Sequence, residues 1–224
     1  MQTPNNSSAE PAAALTVEAA RYALLRRLAF AMRHEMAAHL QPINMLGELL
    51  ERRLRAPELN AAQVRDGVGK LSGFSKDAVH ASLDLITWLS PDASRRITLA
   101  EAVKETLDLV RSSFGFRGFS LRDAVQEAGA ASVQRDGIRY LLPACLLLLT
   151  DGAGAPAEVT ITAPQAPGQA CLRLELEPTD GPEGMEAELA YRALTRAEVA
   201  LLAQAEGVAY SEDGDAITLG WPAE

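Results

Sequence analysis

Arg33-His34-Glu35-Met36-Ala37-Ala38-His39-Leu40-Gln41-Pro42 lies inside a long run whose apolar residues recur every three or four positions. Leu25, Leu28, Met32, Met36, His39, Ile43, Leu46, Leu50 and Leu54 hold that spacing from Thr16, a good N-cap, to about Arg55, which is the pattern of one amphipathic helix. With each residue turning the helix by about 100°, His39 falls within the apolar stripe, while His34, two residues beyond Met32, falls on the opposite side. His39 is therefore expected to be packed and hydrogen-bonded, and His34 to face solvent. Phe30, Ala37, Ala38, Gln41 and Met45 share the outer face with His34, a small and apolar surface that another protein could approach closely. Glu35, adjacent to His34, is expected to accept a hydrogen bond from one ring nitrogen, fix the tautomer and leave the other nitrogen as nucleophile. Pro42 removes the N–H that would bond the Ala38 carbonyl and predicts a kink one to two turns past His34. His80, the third histidine, reads as a surface residue of a second helix.

That second helix is expected over Ala61 to Leu89, where Val64, Val68, Leu71, Phe74, Ala78, Ala81, Leu85 and Trp88 keep the same spacing. Gly67, Gly69 and Gly73 weaken its first half. Ala56-Pro57-Glu58-Leu59-Asn60 separates the two, so they should fold back as an antiparallel hairpin. One hairpin leaves part of each stripe wet, and a homodimeric four-helix bundle is the simplest arrangement that buries the rest.

Bulk properties narrow the function. The chain has 224 residues, 48% of them apolar, enough for a sizeable core. A net charge of −9 argues against general nucleic-acid binding. The first helix nevertheless carries seven arginines (Arg21, Arg26, Arg27, Arg33, Arg52, Arg53, Arg55) against four glutamates (Glu18, Glu35, Glu48, Glu51), a local basic excess suited to steering an acidic partner. Cys145 and Cys171 have no nearby ligand partners, so metal spacing is absent and a reduced, cytoplasmic setting is expected. No signal-peptide pattern opens the chain, and the longest apolar run, Tyr140 to Leu149, is too short to span a bilayer. No membrane association is expected.

Residues 1–15 read as a disordered tail, 16–90 as the helical hairpin, and 95–224 as a second domain after the break at Ser90-Pro91-Asp92-Ala93-Ser94. In that second domain, Leu99 to Ser113 reads as a helix, Gly115 to Arg122 and Ala130 to Val133 as short strands, and Asp136 to Leu149 as a buried helix interrupted by Pro143. Ala157 to Ala163 and Ala170 to Glu177 alternate as a β-hairpin. A helix ending at Glu206 follows, then strands Val208 to Ser211 and Ala216 to Trp221 around Asp213-Gly214. Helices mixed with antiparallel strands make the class α+β.

His34-Glu35-Met36-Ala37-Ala38-His39-Leu40-Gln41, followed by Ile43 and Leu46-Gly47-Glu48-Leu49-Leu50, resembles the phosphoacceptor helix of two-component histidine kinases. The variety is the one written His-Glu/Asp-x-x-Asn-x-Leu-Gln, found in citrate-sensor-like kinases and the sporulation phosphotransferase. Ala38 stands where that family usually has Asn. The second half resembles the family's ATP-binding domain in its order of elements. Leu99-Ala100-Glu101-Ala102-Val103 is similar to the linking "Leu-x-Glu-x-Val" helix, and the helix from Asp136 to the one bearing the magnesium-binding Asn. Leu172 to Gly184 resembles the strand that leads into the adenine-binding Asp-x-Gly-x-Gly. The nucleotide chemistry is degenerate. The Asn position falls on Leu148, which cannot ligate Mg²⁺. Asp180-Gly181-Pro182-Glu183-Gly184 has its first glycine one place early, and Ala193-Leu194-Thr195-Arg196 replaces the Gly-rich phosphate lid.

A phosphoacceptor helix joined to a degenerate ATPase-like domain implies a histidine phosphotransferase of a phosphorelay, passing a phosphoryl group through His34 between aspartates of response-regulator receiver domains. The resemblance assigns Glu35 to orient the imidazole and Arg33 to help hold the phosphate, with Phe30, Ala37, Ala38, Gln41 and Met45 as the docking face. It implies no cofactor held by this chain, since the receiver supplies Mg²⁺. The alternatives are a histidine kinase with an unusual nucleotide site and a non-catalytic pseudokinase that binds a receiver or a kinase.

Overall fold

The computed structural model describes residues 9–90, 92, 94–125, 130–166, 169–185 and 191–222. Among them are five helices and a mixed five-stranded sheet, an α+β chain. Two compact units emerge: Phe30–Pro91, and a discontinuous unit made of residues up to Ala29 together with Asp92–Glu224.

Helix α1 (Ala9–Leu54) contributes to both units. It begins at Ala9 and not at Thr16, so the tail expected over residues 1–15 is helical from residue 9, and residues 1–8 lie outside the described residues. The alanines of Ala9-Glu10-Pro11-Ala12-Ala13-Ala14 favour helix, and Pro11 falls in the first turn, where no N–H is needed. The helix continues unbroken through Pro42.

In the unit Phe30–Pro91, α1 runs antiparallel to α2 (Ala61–Thr87). Asn60 caps α2 by accepting the Gln63 N–H at 3.1 Å. Gly67 marks the close approach: a Cβ there would stand 2.5 Å from Leu50 Cδ2. Farther along, the Ser82 hydroxyl reaches the Met36 sulfur at 3.7 Å. The pairs Leu50/Gly67 and Met36/Ser82 fix the register. Little of this unit is fully covered. Met32, Met36, His39, Ile43 and Leu46 are half-buried, and Val79, Leu83 and Ile86 stand 55–56% exposed along one line of α2.

The other unit is built on the sheet order β2-β4-β5-β7-β6. The strands are β2 (Phe119–Ala124), β4 (Ala157–Thr162), β5 (Gln169–Pro178), β6 (Ala209–Asp213) and β7 (Ala216–Pro222). β4 and β5 pair antiparallel, as do β5 with β7 and β6 with β7, whereas β2 joins β4 in parallel. Val159, Ile161, Leu172 and Leu174 point to the covered face and are fully buried. Helices α3 (Leu99–Phe116), α4 (Arg135–Asp151) and α5 (Arg196–Ala205) lie on that face, α3 against β2 and α4, and α4 against α5 and β5. A capping box between Thr98 and Glu101 starts α3, and one between Thr195 and Glu198 starts α5. α4 passes through Pro143 without interruption, because burial from Ile138 to Leu147 compensates for the one missing helical bond. A short ribbon of β1 (Arg96–Thr98) and β3 (Ser132–Gln134) closes the entrance to α3.

The first part of α1 belongs to this second unit, which corrects the division at residue 16. Ala20, Ala23, Leu24 and Leu28 are 0–2% exposed, and each buried leucine contributes roughly 1.5–3 kcal/mol. Arg27, on the same inner line, holds both carboxylate oxygens of Asp151, at 2.6 and 2.7 Å. Arg117 bonds the same carboxylate at 2.8 Å. Arg21 bonds Glu206 and lies 4.8 Å from the centroid of the Tyr140 ring, and Tyr22 meets Tyr191 edge to face.

Candidate phosphoacceptor helix

The outer face of α1 between Phe30 and Met45 is wet: Phe30, Arg33, His34, Ala37, Ala38, Gln41 and Met45 are all exposed. The Phe30 and His34 rings lie nearly parallel, 13° between planes and 6.5 Å between centroids, as expected for residues one turn apart. Toward the C-terminus the wall drops to the methyl groups of Ala37 and Ala38. A shallow open depression lined by Ala38, Gln41, Pro42, Asn44, Met45 and Glu48 follows. An imidazole between a flat aromatic neighbour and an alanine floor is a site that a folded partner can reach.

Glu35 requires a correction. Its carboxylate Oε1 lies 3.1 Å from Nε2 of His39 on the half-buried side of the helix, so the group expected to orient His34 is engaged with the other histidine. The reason is geometric: residues four apart share a helix face, and adjacent residues diverge by about 100°. The basic excess of α1 is also smaller than the sequence suggests. Arg21 and Arg27 are spent on Glu206 and Asp151, and Arg55 on Glu51. In the second half of α1 Arg33 and Arg52 are exposed, whereas Arg53 is half-buried and donates to the Gln63 carbonyl at 3.2 Å. His80 is exposed on α2.

The stretches compared above with nucleotide-binding elements have these places in the unit. Leu148 is half-buried on α4. Gly184 is pressed onto the turn after α3, where a Cβ would lie 2.0 Å from the carbonyl carbon of Arg117, and the Met185 N–H donates to the Phe116 carbonyl at 2.8 Å. Leu194 is 4% exposed, and Thr195 is the cap of α5, so this stretch is the entrance to that helix. Asp151, at the end of α4, is consumed by Arg27 and Arg117. Burial draws the Arg117 guanidinium below its usual range, and the Asp151 charge opposes that shift. Burial pushes the Cys145 thiol up, which makes it a packing residue. Among the described residues no three His, Cys, Asp or Glu side chains converge where a metal ion could sit, and no helix is long and apolar enough to cross a membrane.

The Arg27–Asp151–Arg117 clamp escaped the sequence reading. A buried arginine on an apolar stripe leaves no local signal, and Asp151-Gly152 reads as a turn.

No protein-family model and no curated protein matches the sequence. Among solved structures, the chain is similar to the catalytic domain of the histidine kinase ThkA in a nucleotide-free form, with 11% identity over 57% of this chain and 95% of that one and a TM-score of 0.43. It is similar to the Acinetobacter baumannii histidine kinase AdeS, with 15% identity over 84% of this chain and 98% of that one and a TM-score of 0.41. It is also similar to ThkA in complex with the response regulator protein TrrA, with 14% identity over 89% of this chain and 64% of that one and a TM-score of 0.43. At these values the likeness carries no functional argument.

Proposed function

We propose that this protein is a cytoplasmic histidine phosphotransferase that carries a phosphoryl group on His34 between response-regulator receiver domains. The observation that carries the reading is the exposure of His34 between Phe30 and the alanine floor of Ala37 and Ala38, on a helix whose sequence resembles a phosphoacceptor. The imidazole nitrogen attacks the phosphorus of a receiver phosphoaspartate. An N–P bond forms, the P–O bond to the aspartate breaks with its electron pair returning to the carboxylate, and the proton on the other ring nitrogen passes to water. The second receiver reverses these steps. The receiver brings Mg²⁺ and its own acidic pocket. Arg33, exposed next to His34, is suited to meet the phosphoryl oxygens. Ala37, Ala38, Gln41 and Met45 form the docking face.

The exposed line of Val79, Leu83 and Ile86 on α2 supports a homodimer in which two hairpins form a four-helix bundle. Light scattering should return twice the 23.9 kDa chain mass, and a monomer at micromolar concentration would remove the dimer from this reading.

The test is transfer of label from phosphorylated receiver domains, with acid-labile, base-stable phosphate expected on the wild type and none on His34→Ala. Label that survives His34→Ala, or no transfer from any receiver of a broad panel, overturns the proposal. A second reading, an ATP-dependent histidine kinase, is favoured by Asp180, kept and exposed where the family pattern binds adenine. It predicts labelling of His34 by Mg²⁺ and ATP with no receiver present.

A further inference from the structure

We infer that Tyr22, Arg26 and Tyr191 form a docking site for an acidic segment of a partner protein, one that sets an Asp or Glu carboxylate beside an aromatic or aliphatic side chain. All three residues belong to the discontinuous unit, Tyr22 and Arg26 on the first part of α1 and Tyr191 ahead of α5. Tyr22 and Arg26 are four residues apart and so share one helix face, and Arg26 Nη1 donates to the Tyr22 hydroxyl at 3.3 Å. The Tyr22 ring meets the Tyr191 ring edge to face, 85° between planes and 6.1 Å between centroids. The Arg26 guanidinium carbon lies 5.1 Å from the Tyr191 centroid and 5.9 Å from that of Tyr22, within cation–π range of both. Two rings and one hydrogen bond thus hold a long side chain in place, which lowers the entropy that a partner must remove on binding.

The charge of Arg26 is what remains open. Its neighbours are answered by carboxylates: Arg21 by Glu206, Arg27 by Asp151 and Arg192 by Glu198. Among the described residues Arg26 meets no carboxylate; its side chain is exposed, and Tyr22 is 53% exposed beside it. The guanidinium donors left after the Tyr22 bond fit the two oxygens of one carboxylate. Tyr and Arg are also the residue types on which interface energy concentrates. The net charge of −9 opposes a densely charged polyanion such as RNA. It favours a segment whose single carboxylate meets Arg26 while apolar side chains lie on the tyrosine rings. The site requires neither His34 nor phosphate, so a failure here leaves the phosphotransfer reading intact.

The experiment selects random peptides displayed on phage against the full-length protein, with Arg26→Ala as the parallel target. The wild type should enrich peptides that carry Asp or Glu next to an aromatic or aliphatic residue, and Arg26→Ala should not. A synthetic peptide of the enriched sequence, followed by fluorescence anisotropy, should bind Arg26→Ala about 10-fold more weakly or worse. Tyr22→Ala, which removes one ring and the acceptor that holds Arg26, should weaken the same peptide roughly 2- to 10-fold. Changing the acid of the peptide to its amide should cost the wild type about the same factor as Arg26→Ala, and should cost Arg26→Ala itself little, because the two groups answer each other. The amide peptide decides the matter on the wild-type protein alone, whatever the variants do to the fold. Enrichment without acidic residues, no enrichment at all, or an amide peptide that binds as well as the acid overturns the inference. So does a poly(A) RNA that binds the wild type more tightly than the peptide and is lost in Arg26→Ala, or an oligomeric mass that falls in Arg26→Ala, since these put a nucleic acid or a second copy of the chain on the site.

Discussion

Replacing Asp151 by alanine should unfold the discontinuous unit far more readily than any surface change. The Asp151 carboxylate accepts three guanidinium bonds, at 2.6 and 2.7 Å from Arg27 and 2.8 Å from Arg117. The Arg27 side chain is 4% exposed, so losing Asp151 strands a cation that water cannot reach. Breaking a buried pair in this way costs about 3–5 kcal/mol. Arg27→Met keeps the apolar stem and leaves Asp151 still bonded to Arg117, so it should cost about 1–2 kcal/mol. Combining the two removes the stranded charge, and the double variant should be more stable than Asp151→Ala alone. The two tryptophans make the assay specific. Trp88 lies in the hairpin unit and Trp221 in the other, 5% and 6% exposed respectively. In a Trp88→Phe background, urea unfolding followed by fluorescence reports the unit that contains the clamp. A loss below about 1 kcal/mol for Asp151→Ala, or no recovery on adding Arg27→Met, would refute the idea that this charge cluster secures α1.

Gly184→Ala should cost more than about 2 kcal/mol in the same assay, because the new methyl would fall 2.0 Å from backbone and cannot be relieved by rotating a side chain; a neutral result would mean that the Thr179–Met185 segment can lift from the α3 turn. Glu198 predicts a pH dependence. The hydrogen bond from Arg192, foremost, and those from Thr195 depress its carboxyl to about 2. A depressed carboxyl stabilises the fold above its unfolded value near 4.5, and the contribution disappears as pH falls through about 2. Glu198 sits at the solvent edge, so the effect should stay below about 1 kcal/mol, and Glu198→Gln should flatten the stability curve across that acid window.

Regular alternation made much of the second half legible: β4 and β5, and the β6–β7 hairpin around Gly214 (φ +60°), follow from period-two runs bounded by turn residues. The helix containing His34 was visible through its three-four spacing, as was the outward direction of His34 itself. The three residues of β1 were too few to show a period, and the parallel pairing of β2 with β4 has no local signature. Arg27 misled because charge was equated with solvent, when its bidentate partner lies 124 residues away. Glu35 misled for a simpler reason: adjacency in sequence was read as adjacency in space, and the helix turned it onto His39.

The chain leaves the discontinuous unit at Ala29 and returns to it at Asp92, so the hairpin is an insertion within a unit whose first helical piece is made long before its binding surface. On a ribosome adding about 5–20 residues per second, the 124 residues from Arg27 to Asp151 take on the order of 6–25 s. Through that interval Ala20, Leu24 and Leu28 present a bare apolar edge to solvent, while the hairpin has every residue it needs from about its midpoint, once Thr87 is made. Synthesis order thus favours the unit Phe30–Pro91 folding first, and the nascent segment before it is the part of the molecule with most to gain from a chaperone.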